Sequence, residues 1–512
     1  MKTAKTQIIL AILLVISLFA VTACGEKDDG VKSTTVSEDT ASDLSNSDKT
    51  EALGENEVVE AGFFSVAYPK EWTYDEENAS IDKSYANIKF IIKGEEDKVK
   101  YSVTINADKN TAKSYRKDFI NNGIDLRDLA DGKLDSLDID GTAFFRRYKD
   151  EGTATFSSGP KEIYAYRHEP SGINYSIEFT SADSVDTSTS PFSDIIGGIR
   201  LNLTDEGNKP TPWPWEGTPW TPDLEPQMAG SFTITPAFLK ANEPFILNSI
   251  MNTTFTVADG LIYTVTKKDY RAYKFDDKSV TLENAVALDE EYEKISTDKT
   301  GKLYLSRGIP KLDVYEGFKK SAATEISHDL VMHNSGEWGL TFWVNADPMK
   351  VTVKDGILKE EPWVLADLTK SETRKGFFKM ISEIRISDSH IMVAGSAADD
   401  SGEKIVIYDF DGNELFALEN TEQDRSGLGH ITGIAETPNG FIATDGNMRR
   451  IALWNSKGTF IGKIEMPKLI GAKYCWLEDM QLLDDGSILI AVSQERDDNS
   501  ADELLFFRLT GF

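Results

Sequence analysis

Residues 381–419 read ISEIRISDSHIMVAGSAADDSGEKIVIYDFDGNELFALE. Four short runs of branched and aromatic residues are separated by turn residues, the pattern of four consecutive strands. The same grammar returns elsewhere. Aligned on the turn before the second strand, residues 293–301 lie over 382–390, 432–440 and 478–486. The second strands follow at 302–306, 391–394, 441–444 and 487–492. Each third strand ends on a ring, at Tyr273, Tyr315, Tyr408, Trp454 and Phe507, as packing between neighbouring sheets requires. A turn glycine follows at Gly317, Gly412, Gly458 and Gly511, and outer strands at 414–418 and 459–464 complete two units.

Four strands recurring every 40 to 50 residues or so are the signature of an all-β propeller. Units fall near 252–283, 291–321, 380–419, 430–466 and 474–512, with a weaker one across 330–358, so the count is about six four-stranded blades. The pattern resembles NHL-like or YWTD-like six-bladed propellers, and a seven-bladed ring or an irregular sandwich is the alternative. The unit at 474–512 has no fourth strand of its own. An open edge invites pairing with other chains, so residues within 231–250 are expected to supply that strand and close the ring.

The rest of the chain is read outward from this domain. The 512 residues carry 55 Lys and Arg against 85 Asp and Glu, a formal net charge of −30 that argues against nucleic acid as a partner. The two cysteines, Cys24 and Cys475, provide neither a disulfide framework nor a thiolate metal site. At the start, Lys2 and Lys5 precede an uncharged apolar run and then Val21-Thr22-Ala23-Cys24. A charged leader, an apolar stretch and small residues form a signal peptide, 1–23. With a Cys directly after the small pair, the stretch resembles the lipobox of bacterial lipoproteins. That resemblance implies a diacylated Cys24 at the mature N-terminus and attachment to the membrane through its lipid. A plain secretory signal is the alternative. Residues 24–57 are almost devoid of apolar side chains and read as a disordered tether.

Order is expected from 58 to 203, with strands at 61–69, 88–92, 101–105, 142–148, 162–167 and 175–180 and helices at 112–122 and 193–199. Its opening phrase, GFFSVAYPKEW at 62–72, resembles the start of PsbP/Mog1-like domains. The resemblance implies an α+β fold, an α-β-α sandwich that serves for binding or docking and brings no chemistry. His168 beside Glu169 and Pro170 reads as a solvated turn histidine. Residues 204–230 form a linker with six prolines between 210 and 226 and with Trp213, Trp215 and Trp220 among them. Such proline density enforces extended backbone. The tryptophans either pack on the flanking domains and fix their angle, the favoured reading, or face a partner. The propeller then occupies 231–512.

No HExxH, GxSxG, P-loop or EF-hand spacing occurs, and no metal or cofactor is expected. The DFDGNE turn at 409–414 resembles part of a calcium loop, but 455–458 stands at the same repeat position without the acids, so a hairpin is expected. His328, Asp329 and His333 form a second polar cluster without an evident third metal ligand. Cys475 reads as a small buried apolar residue. Ligands of propellers meet the central funnel. The repeat alignment places Glu293, Lys294, Ser382, Glu383, His430, Thr432, Trp476, Glu478 and Asp479 at inner-strand starts. Arg307, Asp445, Asn447, Arg449 and Arg450 stand just after second strands. The candidate ligand residues are therefore Arg307, Glu383, His430, Asp445, Arg449, Trp476, Glu478 and Asp479, with Trp476 as a stacking face. Mutual pairing of these groups across a wet channel is the competing and favoured reading.

The function these readings support is a membrane-anchored extracytoplasmic lipoprotein, a non-catalytic binding or scaffold module for an envelope protein or a polar, glycan-like ligand. One alternative is a propeller lyase or hydrolase acting on extracellular polysaccharide or a small ester, with His430 and Glu478 or Asp479 as acid and base. Another is a sensory or assembly factor that docks an envelope protein.

Overall fold

The structure, a computed structural model, describes residues 56–512 apart from 96–97, 123, 151–158, 243–253, 266–268, 290–291, 293, 308–310, 344–345, 355–356, 364–377, 399–401 and 419–426. The signal peptide, Cys24, nearly all of the tether and Glu293 lie outside the described residues. Residues from Glu55 to Phe512 form one compact unit.

The N-terminal part is built on an eight-stranded sheet whose main path runs Thr73–Tyr74, Tyr85–Lys93, Val99–Lys109, Ile173–Ser181, Lys161–His168, Thr142–Asp150, Ser136–Ile139. Burial alternates strictly along Ile173–Ser181, as a strand with two differently packed faces demands. One face carries the helices Ala112–Asn121 and Leu126–Ala130, which bury Tyr115, Phe119, Leu126 and Leu129 against Ala165. The other packs on a three-stranded sheet of Glu57–Glu60, Phe64–Tyr68 and Ile199–Leu201, with Phe192 of the short helix Phe192–Ile196 in that core. Two helices cover one face, while the other carries a three-stranded sheet with only the short helix Phe192–Ile196 beside it, a correction to the expected α-β-α sandwich. The cause is local: after one turn of helix the chain returns as a strand beside Phe64–Tyr68 instead of extending a second helical layer.

Beyond the linker, the described residues form six four-stranded units. Their inner strands are Phe255–Ala258, Lys294–Thr297, Asp329–Met332, Phe378–Ile386, Ile431–Thr437 and Trp476–Leu482. Each lies beside the next, and the last lies beside the first, which closes a six-bladed ring. The region read as weak, 330–358, is a full blade spanning Asp329 to Pro362. Six separate apolar cores fill the six seams between blades. Neighbouring residues of one strand serve opposite seams: Ile262 packs toward the sixth blade and Tyr263 toward the second. Second strands are thus buried on both faces, which is why Ile391–Ala394 is apolar throughout instead of alternating. The five third-strand rings are all buried, Trp454 to 1 % exposure.

Closure occurs where expected. Phe232–Ala241 supplies the outer strand of the sixth blade, with Thr235–Leu239 antiparallel to Phe506–Thr510. Its last residues, Lys240 and Ala241, pair in parallel with Ser279 and Val280 of the first blade, so one strand joins both sides of the seam.

The proline and tryptophan stretch is clamped at both ends. Arg116 of helix Ala112–Asn121 donates to the carbonyls of Thr211 and Pro212 and lies over the Trp213 ring at 4.2 Å. Trp213 and Trp215 stack at 5.4 Å, with Arg127 over the second ring. Trp220 is buried in the core between blades 5 and 6. The buried Arg496 donates to the carbonyls of Pro214 and Thr218, and Asp498 accepts from the Thr218 amide. Trp213 and Trp220 pack on the flanking domains, as favoured, while Trp215 stays 42 % exposed.

Candidate functional site

The repeat position of Lys294, Glu383, Gly433 and Asp479 makes one layer of the channel. Just before it, the inner strands of blades 4, 5 and 6 skip one residue in register, at Ser382, Thr432 and Glu478. Such bulges re-aim the side chains that follow. In this layer blade 2 meets blade 4 through Lys294 Nζ and Glu383 Oε2 at 3.0 Å, and blade 4 meets blade 6 through Arg385 and Asp479. Arg385 Nε lies 3.4 Å from Glu383 Oε1, which links the pairs into one chain across the axis. Asp479 also accepts from the Phe255 amide of blade 1 at 3.2 Å, and Lys294 stands 5.3 Å from the Phe342 ring of blade 3. Gly433 gives this layer room on blade 5: a Cβ there would lie 2.8 Å from Met480 Cγ. Burial pushes the Asp479 carboxyl up to about 6 in spite of Arg385 and Lys294.

Glu383 and Asp479 are therefore spent on neighbouring blades, and removing either would strand a buried charge. Asp445 is spent on its own loop. It is fully buried and accepts from the amides of Gly429, His430 and Met448. Arg450, 3.4 Å from Asp445, donates to the Gly427 carbonyl.

His430 does not join Glu478 or Asp479 as an acid–base pair. Its ring sits 6.2 Å from that of Trp476, its charged neighbours are Glu383 and Asp445, and burial holds its pKa below the usual histidine range. Glu478 is buried, within electrostatic range of Lys117 of the N-terminal domain. Lys113 of the same helix pairs with Glu495 at 2.8 Å and Asp502 at 3.1 Å, so the N-terminal domain sits on the mouth at blade 6. Arg307 ends Lys302–Arg307 on blade 2, whereas His430 and Trp476 stand on blades 5 and 6.

The rim over blades 5 and 6 is different in kind. Tyr474 is 55 % exposed between Arg449, at 5.1 Å, and Lys473, at 5.5 Å. Arg449 holds a left-handed backbone at φ 53°, a conformation that is rare outside glycine and concentrates at functional sites. Trp476 lies flat against Gly446, where a Cβ would come within 2.8 Å of the indole. Met448 beside Gly429 is also exposed.

Arg385, Glu403, Lys473 and Tyr474 escaped the sequence reading. Arg385 could have been found as the residue two after Glu383 on the same strand, hence on its face. Glu403 accepts from Ser382 and Ser396 hydroxyls at 3.0 and 2.8 Å, and burial pushes its carboxyl up to about 7. Nothing in its local sequence signals that environment.

The remaining suggestions resolve as packing or turns. Asp409 accepts from the amides of Asp411 and Asn413, and Asn455 does the same for Lys457 and Thr459, so the DFDGNE segment is a hairpin. His328 and His333 flank opposite ends of Asp329–Met332, stacked on Trp343 and Trp338, and share no metal site. No group of potential metal ligands gathers among the described residues. Burial pushes the Cys475 thiol up to about 12. His168 Nδ1 meets Ser171 Oγ at 2.8 Å within its turn.

No family model and no curated protein matches this sequence. Among solved structures, the chain is similar to the β-propeller domain of Myceliophteria thermophila Cps50 (Swd1), at 10% identity and TM-score 0.34 over 51% of this chain and 87% of that one. It is also similar to Kluyvelomyces marxianus Hsv2, at 8% and 0.30 over 49% and 96%, and to BBS1N in complex with ARL6DN, at 9% and 0.30 over 48% and 74%. At these scores the likenesses carry no argument beyond the propeller topology already described.

Proposed function

We propose that this chain is an envelope lipoprotein that binds a polar, glycan-like ligand without transforming it. Cys24 carries the lipid, residues 24–57 hold the folded part off the membrane on its outer side, and the rim of blades 5 and 6 takes the ligand. The observation that supports this reading is a division of labour at the mouth. The inward acids and bases are occupied by one another, while Tyr474 stands exposed between two cations and, on the same two blades, Trp476 lies beside His430. An aromatic face flanked by donors suits a hydroxyl-rich or acidic sugar. The opening phrase similar to PsbP/Mog1-like domains fits a docking role for the N-terminal domain, and the six blades fit the NHL-like or YWTD-like resemblance.

The second reading, a lyase or hydrolase, is favoured by one observation, the Glu403 carboxyl held at about 7 near the mouth. The two separate in one experiment on detergent-solubilised full-length protein and a panel of envelope polysaccharides. The binding reading expects retention without chain cleavage, reduced about tenfold or more by Tyr474→Ala or Trp476→Ala and unchanged by Glu403→Gln. Cleavage abolished by Glu403→Gln establishes the enzyme, and no retention of any glycan overturns both. In the same preparation Cys24→Ala is expected to move the protein from the membrane fraction to the soluble one.

A further inference from the structure

The charges on the rim of blades 5 and 6 narrow its ligand to one chemical class. Elsewhere in the propeller the arginines meet acids: Arg385 meets Asp479, Arg450 meets Asp445, Arg496 meets Glu503, and Arg508 meets Asp277 and Asp485. Arg449 and Lys473 differ. Among the described residues neither has a carboxylate within ion-pair distance, and each side chain meets the Tyr474 ring instead, at 5.1 and 5.5 Å. In a chain of net charge −30, two such cations side by side are a local reversal of sign. The acids close to them in sequence are engaged or out of reach of solvent. Asp445 accepts three amides of its own loop, Glu465 pairs with Lys468, and Glu478 is buried.

The backbone that presents the two cations is fixed. Arg449 closes a turn, its amide donating to the Gly446 carbonyl at 3.3 Å and its carbonyl accepting from the Met466 amide at 2.9 Å, and it holds the left-handed φ of 53° there. Gly446 in turn donates to the His430 carbonyl at 2.8 Å and lies tight against the Trp476 indole. Arginine in a left-handed position is a conformational cost, and it is borne at a place where the side chain meets no acid of its own chain. Lys473 and Tyr474 are exposed between the buried Ala472 and Cys475, which anchor the loop on either side. Met448, next to Arg449, adds exposed apolar surface.

We propose that this rim selects an anionic glycan, one whose sugar ring packs on Tyr474 and whose carboxylate or phosphate oxygens accept from Arg449 and Lys473. An uncharged sugar uses the ring and leaves both charges unanswered. A simple inorganic anion uses the charges and leaves the ring and Met448 unused. A sugar that carries an acid uses both, with the planar guanidinium matched to two oxygens of the anion and the ammonium acting as a point charge. The inference rests on the binding reading above and adds its selectivity: Arg449 and Lys473 set the sign of the ligand, and Tyr474 sets its sugar character.

The test is fluorescence anisotropy with full-length protein in detergent and three labelled tetrasaccharides: one of galacturonic acid, the same one fully methyl-esterified, and one of galactose 6-phosphate. At least one anionic form is expected to bind at least about tenfold more tightly than the ester, to lose that advantage in Arg449→Gln and in Lys473→Gln, and to weaken as sodium chloride is raised. The tighter of the two anionic forms identifies carboxylate or phosphate as the source of the charge. Ester binding is expected to be unmoved by salt. Equal binding of all three overturns the inference and leaves the glycan reading standing. Binding of none overturns it too, and the polysaccharide panel then decides the glycan reading by itself. Anionic binding that survives Tyr474→Ala and is displaced completely by inorganic phosphate overturns it in favour of a simple anion site. Should Arg449→Gln melt earlier than wild type, Lys473→Glu in its exposed loop tests the charge alone, and unchanged affinity there overturns it as well.

Discussion

The two ends of the propeller ring are made by the same strands and held together by different means. At the turn end, order is local and repeated: Asp276, Asp298, Asp409, Asn455 and Asp485 each accept backbone amides from their own turns. Side chains then stitch one blade to the next, as Asn334 does to Asp388, and His390 and Ser387 to Glu436, and Lys299 of blade 2 also reaches Asp388 of blade 4. At the mouth, order is long-range. Lys294, Glu383 and Asp479 occupy one repeat position on three alternate blades, differ in charge and find one another, through Arg385, across the axis. A repeat thus makes its turns by copying and fills its centre by complementing.

This contrast can be broken from either end. The largest effect is expected from Asp479→Ala, which strips Arg385 of one of its two acidic partners and the Phe255 amide of its acceptor in a fully buried site. A loss of about 3–5 kcal/mol is expected for a severed buried pair, read by urea unfolding at pH 7. A loss below about 1 kcal/mol, the range of surface pairs, would mean that the channel is wet enough to screen the charge.

The next effect is a dependence on pH. The Glu403 carboxyl is pushed by burial from 4.5 to about 7, with Asp445 contributing in the same direction and the Ser382 and Ser396 hydroxyls opposing. The folded chain therefore keeps a proton that the unfolded chain has released, and stability from this group falls as pH rises from about 4.5 through 7 and is level above. Asp479, raised from 3.8 to about 6, adds a slope of the same sign lower down. Unfolding midpoints between pH 5 and 7.5 are expected to decline less steeply in Glu403→Gln than in wild type. An unaltered slope would place Glu403 in contact with solvent.

The smallest effect is expected at the turn end. Asn455→Ala removes acceptors for the Lys457 and Thr459 amides in an exposed hairpin. The expected cost is under about 1 kcal/mol, and a larger one would show that turn chemistry, and not the seams, holds the blades.

The same contrast explains what the sequence disclosed. Turn residues, third-strand rings and the missing outer strand were legible because each recurs at a fixed spacing or is conspicuous by its gap. The blade from Asp329 to Pro362 was faint because its turn end carries His333 and Trp338, packed in an aromatic cluster with Phe410 of the fourth blade. Of the eight candidate mouth residues, Arg307, Glu383, Asp445, Trp476, Glu478 and Asp479 lie on inner or second strands, and His430 and Arg449 in the loops beside them. Their roles were not legible, since whether Asp479 meets His430 or Arg385 is decided by residues 94 positions apart meeting across an axis. Tyr474 and Lys473 fell outside the aligned positions. In the N-terminal part, strand alternation gave the sheet, while the sheet that replaces most of the second helical layer followed from the pairing of Ile199–Leu201, a contact more than 130 residues long in sequence.

The tryptophan clamp has a consequence for how the molecule meets anything with two points of attachment. Because Arg116 grips one end of the linker and Arg496 and Trp220 the other, the N-terminal domain and the rim of the ring are tied together at both ends of the connection. A partner that touched both would be presented to the second at an effective concentration set by shape and not by the reach of a flexible chain. The spacing of its two epitopes would then count beside their chemistry.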